Sequence, residues 1–231
     1  RHHRLVPSAR PAEAPTKLFR LAEGSRPAPP GGAAPAENLA RRAGLPPQNN
    51  DRPHIRFTIF QESRVGKRKT NQDRVAYSYT RDALLLVLAD GMGGHLYGEV
   101  AAQISVQFIA QSFQQEARPK VSDPVLFLSR VLSNAHHAIL DYAFDKQLSD
   151  VPRTTIVACL VQEGVAHWAH AGDSRLYMIR KNKLAAQTRD HSRVQLMLDQ
   201  GLLDAEAAAV HPGRNRIFSC LGGNHPPQIE F

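Results

Sequence analysis

Two carboxylates, Asp73 and Asp90, each stand where β-like sequence meets polar or glycine-rich chain. Asp90 follows the apolar run Leu84 to Ala89 and precedes Gly91-Met92-Gly93-Gly94-His95, so an anionic oxygen sits at a strand tip beside backbone free of side-chain bulk. Such a tip suits a hard cation, which takes carboxylate and carbonyl oxygens. An Asp-Gly turn joining strand to helix would look the same, so this segment alone leaves both readings open. Upstream, Gly66-Lys67-Arg68-Lys69-Thr70-Asn71-Gln72 leads into Asp73 and adds a second acid beside a cluster of phosphate-seeking cations.

Other clusters are less productive. His167 and His170 are three apart on a strand and point to opposite faces, while His136 and His137, adjacent on a helix, cannot converge on one ion. Asp190-His191-Ser192 reads as loop hydrogen bonding and a helix cap rather than a hydrolase triad, since no Gly-x-Ser-x-Gly elbow occurs. The segment from Gly91 to Leu96 lacks the last glycine of a dinucleotide fingerprint, and no Lys-Ser/Thr follows a phosphate loop, so neither NAD nor ATP is indicated. Cys159 and Cys220 have no CxxC context and read as reduced thiols.

The elements that must position the two acids follow from periodicity. Short β-like runs cover Ile55 to Phe60, Val75 to Tyr79 and Leu84 to Ala89, the last apolar enough to be buried on both faces. Glycines then break the chain, and Ala101, Ile104 and Phe108 recur at helical spacing. A second helix is expected from about Pro124 to Phe144 on the stripe Leu128, Val131, Ala135, Ile139 and Tyr142, with Pro124 suited to a first turn. Beyond it, Thr155 to Val161, Val165 to Ala171, Arg175 to Ile179 and Lys183 to Gln187 read as an antiparallel meander. Ser192 and Gln195 form a capping-box pattern for a helix that Gly201 stops, and Asp204 caps one further turn through Val210.

Bulk properties place these elements. The chain has 231 residues, 42% of them hydrophobic, enough for one sizeable core. Its net charge of +8 is uneven: residues 1–54 hold nine Lys/Arg against four Asp/Glu, leaving twenty against seventeen for the other 177. That Pro, Ala, Gly and Arg-rich stretch cannot repay its ordering entropy and reads as a disordered basic tail. A tether to nucleic acid would rest on tail charge alone, without aromatics for base stacking, and is not the favoured reading. The longest apolar run, Ala83 to Ala89, is far short of the roughly 20 residues that cross a bilayer, and no secretory leader is evident, so a cytoplasmic protein is expected.

The ordered segments around Arg68 to Asp73 and Asp90 to His95 resemble the first motifs of the metal-dependent (PPM, type 2C) protein serine/threonine phosphatases in their bacterial form. Arg153-Thr154-Thr155 resembles that family's Gly-Thr-Thr segment. His170-Ala171-Gly172-Asp173-Ser174-Arg175-Leu176-Tyr177 and Thr188-Arg189-Asp190-His191-Ser192 resemble its central strands and the loop after them. The resemblance implies an α+β fold, an α-β-β-α sandwich of two antiparallel sheets flanked by helices, over residues 55–231. It implies two Mn²⁺ or Mg²⁺ ions, with a third, weaker one in some relatives, and phosphorylated proteins as partners within a Ser/Thr kinase pathway. In such a site two metals roughly 3.5–4 Å apart activate a shared water for attack on a phosphoserine or phosphothreonine.

Carried over residue by residue, Asp90 bridges the metals, the Gly91 carbonyl ligates one, and Asp73 holds a metal-bound water. Arg68 matches the phosphate-binding arginine, whose planar fork suits a phosphate. His95 is the candidate general acid for the leaving oxygen, against an idle histidine in a glycine-rich turn. Asp173 matches a third-metal position, against a turn carboxylate bonded to nearby amides. The family completes its site with aspartates in a Ser-Asp-Gly and an Asp-Asn segment. Here the acids after Asp190 are Asp199, Asp204, Glu206 and Glu230, none in those contexts. The expectation is therefore a domain lacking its C-terminal part, and a second reading stands beside catalysis: an incomplete site serving as a phosphoprotein-binding module.

Overall fold

The computed structural model describes residues 55–66, 68–92 and 97–231. Strands β1 (Asp73–Tyr79), β2 (Ala83–Gly91), β3 (Thr154–Gln162) and β4 (Val165–Ala171) form one antiparallel sheet in the order β1-β2-β3-β4. Helices α1 (Gly98–Glu116) and α2 (Pro124–Asp145) are inserted between β2 and β3, and pack on each other and on the sheet. Strands β5 (Tyr177–Arg180) and β6 (Lys183–Gln187) pair separately, and helices α3 (Arg193–Asp199) and α4 (Ala205–Val210) follow.

Alternation along β2 assigns its residues to two faces. Leu85, Val87 and Ala89 turn toward the helices with Ile156, Ala158 and Leu160 of β3, and meet Ile109, Phe113, Leu128, Val131, Leu132 and Ile139 in the main core. Leu84 and Leu86 point the other way with Cys159, beneath Ile55, Phe57, Ile59, Trp168 and Leu176. The loop between α1 and α2 is tied down by Gln162, whose side-chain amide donates to the Val121 carbonyl (2.9 Å) and accepts from the Val121 N–H (3.1 Å). A buried amide that makes both bonds avoids the desolvation penalty an unpaired one would carry.

Local signals explain the helix ends. Asp123 accepts a hydrogen bond from Leu126 N (3.0 Å), with Pro124 in the first turn of α2. Ser192 caps α3 through Gln195 N (3.1 Å), but the Gln195 amide turns to Asp199 (2.8 Å) instead of closing a capping box. Asp204 caps α4 through Ala207 N (2.8 Å).

Three further expectations change. Ile55 to Phe60 alternates half-buried and exposed as a strand does, yet forms no ladder among the described residues; it lays its apolar side on Leu84 and Leu86. On α1 the buried stripe is Ala101, Ala102, Ser105, Val106, Ile109 and Phe113, while Ile104 and Phe108 flank it half-buried, because the small residues let the helix approach the sheet closely. The meander breaks after β4: at Gly172 the chain leaves the sheet, and β5–β6 stands as its own hairpin. The tail, residues 1–54, lies outside the described residues. No described helix is long and apolar enough to cross a membrane.

Candidate metal and phosphate site

The two acids that the sequence singles out are brought together by strand register. Asp73 opens β1 directly opposite Asp90 near the end of β2. Opposed residues of an antiparallel pair share a face, with Cα atoms about 4.5–5.5 Å apart. The row continues through Thr155, which faces Asp90 from β3. Gly172 lies against Thr155 so closely that a Cβ on it would come within 2.6 Å of the Thr155 Cβ, and its φ of +115° adds a second reason for glycine. Asp173 follows at once and is exposed, while the Thr155 hydroxyl shares a 2.6 Å hydrogen bond with Ser174 Oγ. One sheet end therefore carries Asp73, Asp90, Thr155 and the start of the Asp173 turn.

Gly91 is required by close approach. A Cβ there would fall 2.4 Å from the carbonyl carbon and oxygen of Gly98 and 2.8 Å from the Gln72 oxygen, so α1 begins on top of the β2 tip. Gly91 N donates to Gln72 O (3.1 Å), and the Gln72 amide reaches Glu99 in the first turn of α1 (3.2 Å). Arg74 donates to Gln103 (2.9 Å) and to the carbonyls of Asn71 (3.0 Å) and Asp73 (2.9 Å). The backbone carrying Asp73 is thus held from the helix as well as from the sheet.

The remaining candidates are less closely placed. Arg68 is exposed in the segment leading to β1, its N–H bonded to the Val65 carbonyl (3.2 Å). His95 lies outside the described residues. Arg175, two residues beyond Asp173, grips Asp190 through two bonds of 2.7 and 2.6 Å, which hold its guanidinium firmly charged.

The donor chemistry fits divalent Mn or Mg: two carboxylates on one face and an adjacent peptide carbonyl are hard oxygen donors. Among the described residues, no third Asp, Glu, His or Cys closes a three-ligand cluster with Asp73 and Asp90.

A second constellation escaped the sequence reading. His170 and His191 lie ring against ring with centroids 4.6 Å apart, and His191 Nε2 meets Glu230 Oε2 at 3.2 Å. Burial lowers the His191 pKa, the neighbouring His170 lowers it further, and Glu230 opposes both. Sequence spacing sets His170 beside His167 alone; its companions in the fold come from the loop before α3 and from the segment around Glu230. On α2, His136 Nδ1 accepts from Gly222 N (3.1 Å), and His137 bonds the Ser133 carbonyl (2.8 Å).

Residues 61–193 match the family model for protein phosphatase 2C. The chain belongs to this family. PhpP of Streptococcus pneumoniae is 30% identical over 169 residues, covering 72% of this chain and 68% of that protein. Stp1 of Staphylococcus aureus superposes with a TM-score of 0.67 at 30% identity, covering 73% of this chain and 67% of that one. The catalytic domain of the phosphatase PstP, in complex with two manganese ions, gives a TM-score of 0.58 at 30% identity, covering 71% and 66%. This phosphatase-family chain thus has the mixed α+β fold, with antiparallel sheets and helices, over about 70% of its length. It spans about two thirds of the length of the curated relatives it matches.

Proposed function

We propose that this chain carries the first metal-binding half of a phosphatase that hydrolyses phosphoserine and phosphothreonine in proteins, within an α-β-β-α sandwich. The observation that carries the proposal is the register that sets Asp73 opposite Asp90, with Gly91 packed beneath the start of α1. Asp90 and the Gly91 carbonyl would hold two Mn²⁺ or Mg²⁺ ions, Asp73 would orient a water bound there, and Asp173 would serve a weaker third ion. When bound, such ions lower the pKa of water and screen the charge on phosphoryl oxygens. Arg68 binds the phosphate through its fork, and His95 returns a proton to the departing serine or threonine oxygen.

A second reading is phosphoprotein binding without turnover, and the same assay separates it from catalysis. The test is p-nitrophenyl phosphate hydrolysis with millimolar Mn²⁺, with and without chelator, for this chain, its Asp90→Asn variant and a longer chain carrying the family's remaining third. Turnover by this chain, abolished by chelator and by Asp90→Asn, establishes a working phosphatase. Turnover only by the longer chain assigns this one the binding role, and none by either removes the enzymatic reading.

A further inference from the structure

We propose that His170, His191 and Glu230 form a transition-metal site, suited to Zn²⁺ or Co²⁺ and separate from the paired aspartates. Three segments distant in sequence converge there. His170 ends β4 and exchanges both backbone hydrogen bonds with Glu230 (2.9 and 3.1 Å), an antiparallel bridge that puts their side chains on one side. His191 is brought in from the loop before α3 by its N–H, which donates to the Gly172 carbonyl (3.0 Å). One ligand atom from each of the three residues lies within 4.8 Å of the others.

The hydrogen bonds around His170 point to a ligand. Its Nε2 lies 2.7 Å from the Arg189 carbonyl, which can only accept, so Nε2 carries the proton. Nδ1 is then left with a lone pair, and this atom is buried and has no hydrogen-bond partner although the residue is only 2% exposed. A histidine that donates one ring N–H to a carbonyl and keeps the other nitrogen bare has the arrangement found in metal-bound imidazoles. The His191 to Glu230 separation of 3.2 Å already approximates the edge of a tetrahedron with ligand distances of about 2.0–2.1 Å. Glu230 is the ligand with room to move, being half-exposed, while the His191 ring is held between His170 and Phe218 with centroids 4.6 and 5.4 Å away.

The chemistry selects the metal class. Two imidazoles and one carboxylate suit Zn²⁺ and its neighbours, whereas Mg²⁺ prefers an all-oxygen shell. Three protein ligands leave a fourth position for water or an incoming group. Metal at His191 Nε2 moves the neutral ring's proton to Nδ1, which opens the 3.3 Å bond that Nδ1 accepts from Gly172 N; in acid a proton competes with the metal for this ring, so binding weakens. Along the sheet, His170 pairs with Val157, itself opposite Leu88, one row below Asp90 and two strands away. That puts its Cα roughly 12 Å from that of Asp90 from strand spacings alone.

The test titrates the full chain with Zn²⁺, and with Co²⁺ followed by visible absorption, in millimolar Mg²⁺ to occupy oxygen sites. One equivalent should bind the chain and its Asp90→Asn variant alike, and should raise the melting temperature of both. Glu230→Gln, at a half-exposed position that leaves the core untouched, should weaken binding at least tenfold and abolish the thermal shift; His170→Asn should do the same. Equal affinity in Glu230→Gln and the parent chain overturns the site and points to histidines elsewhere, such as His2 and His3. Loss of binding in Asp90→Asn overturns its independence, and no binding to the parent chain overturns it altogether.

Discussion

The two faces of the four-stranded sheet do different work. Beneath α1 and α2, Leu85, Val87, Ile156, Ala158 and Leu160 meet Phe113, Leu128 and Ile139 in a core where most members are wholly excluded from solvent. On the opposite face Leu84, Leu86 and Cys159 are covered by side chains that are themselves only partly buried, and Tyr77 and Tyr79 are exposed. The thinly covered face carries Asp73, Asp90, Thr155 and His170. The difference shows a sheet made stable from one side, so that polar groups on the other need not contribute to folding and can face a ligand. Cys159 belongs to the enclosed part of that second face: burial lifts its thiol to about 12, which makes it a packing residue and not a nucleophile.

That contrast can be broken experimentally. Phe113→Ala empties a fully buried position and should cost about 3–5 kcal/mol in urea unfolding; a loss below about 1 kcal/mol would show that the helix-covered face is not the stabilising one. Asp90→Asn should do the reverse, lowering Mn²⁺-dependent turnover at least 100-fold, or about 2.7 kcal/mol of transition-state stabilisation, with the unfolding midpoint little moved. A large fall in that midpoint would assign Asp90 to the fold.

The acid limb sharpens the comparison. Burial first, then the neighbouring His137, hold His136 below its ordinary value of 6.5, and its Nδ1 must stay unprotonated to accept from Gly222. The unfolded chain takes up that proton near pH 6.5 and the folded chain resists it. The stabilisation is thus present above pH 6.5 and is lost as pH falls through the lower folded value. His136→Asn should make the acid limb of the stability profile shallower; an unchanged slope would transfer the effect to other histidines. The smallest change is expected from Tyr79→Ser on the thinly covered face, within about 0.5 kcal/mol of the parent chain in the same urea assay. A greater loss would mean that this face contributes more packing than its exposure implies.

Much of this was legible in the sequence because the signals are local. Asp123-Pro124, Ser192 and Asp204 mark helix starts through side chains that reach N–H groups three residues on, and the apolar run before Asp90 marks a buried strand. The departures are non-local. Ile55 to Phe60 has a strand's alternation, yet alternation reports burial and not a ladder partner. Residues Ile104 and Phe108 fit helical spacing as well as the stripe that is buried, and only the approach of α1 to Gly91 selects between them.

The sequence by itself determined most element types, the side chains that cap the starts of three helices, the family and the pair of acids, since each depends on neighbours in the chain or on an ordered set of motifs. Only the tertiary structure decided that Asp73 faces Asp90 in register and that β5–β6 leaves the sheet. It alone brought Glu230 and His191 beside His170, whose Nδ1 is buried without a hydrogen-bond partner. Those outcomes depend on which backbone edges pair and which segments meet across loops of tens of residues, and side-chain periodicity carries no record of either.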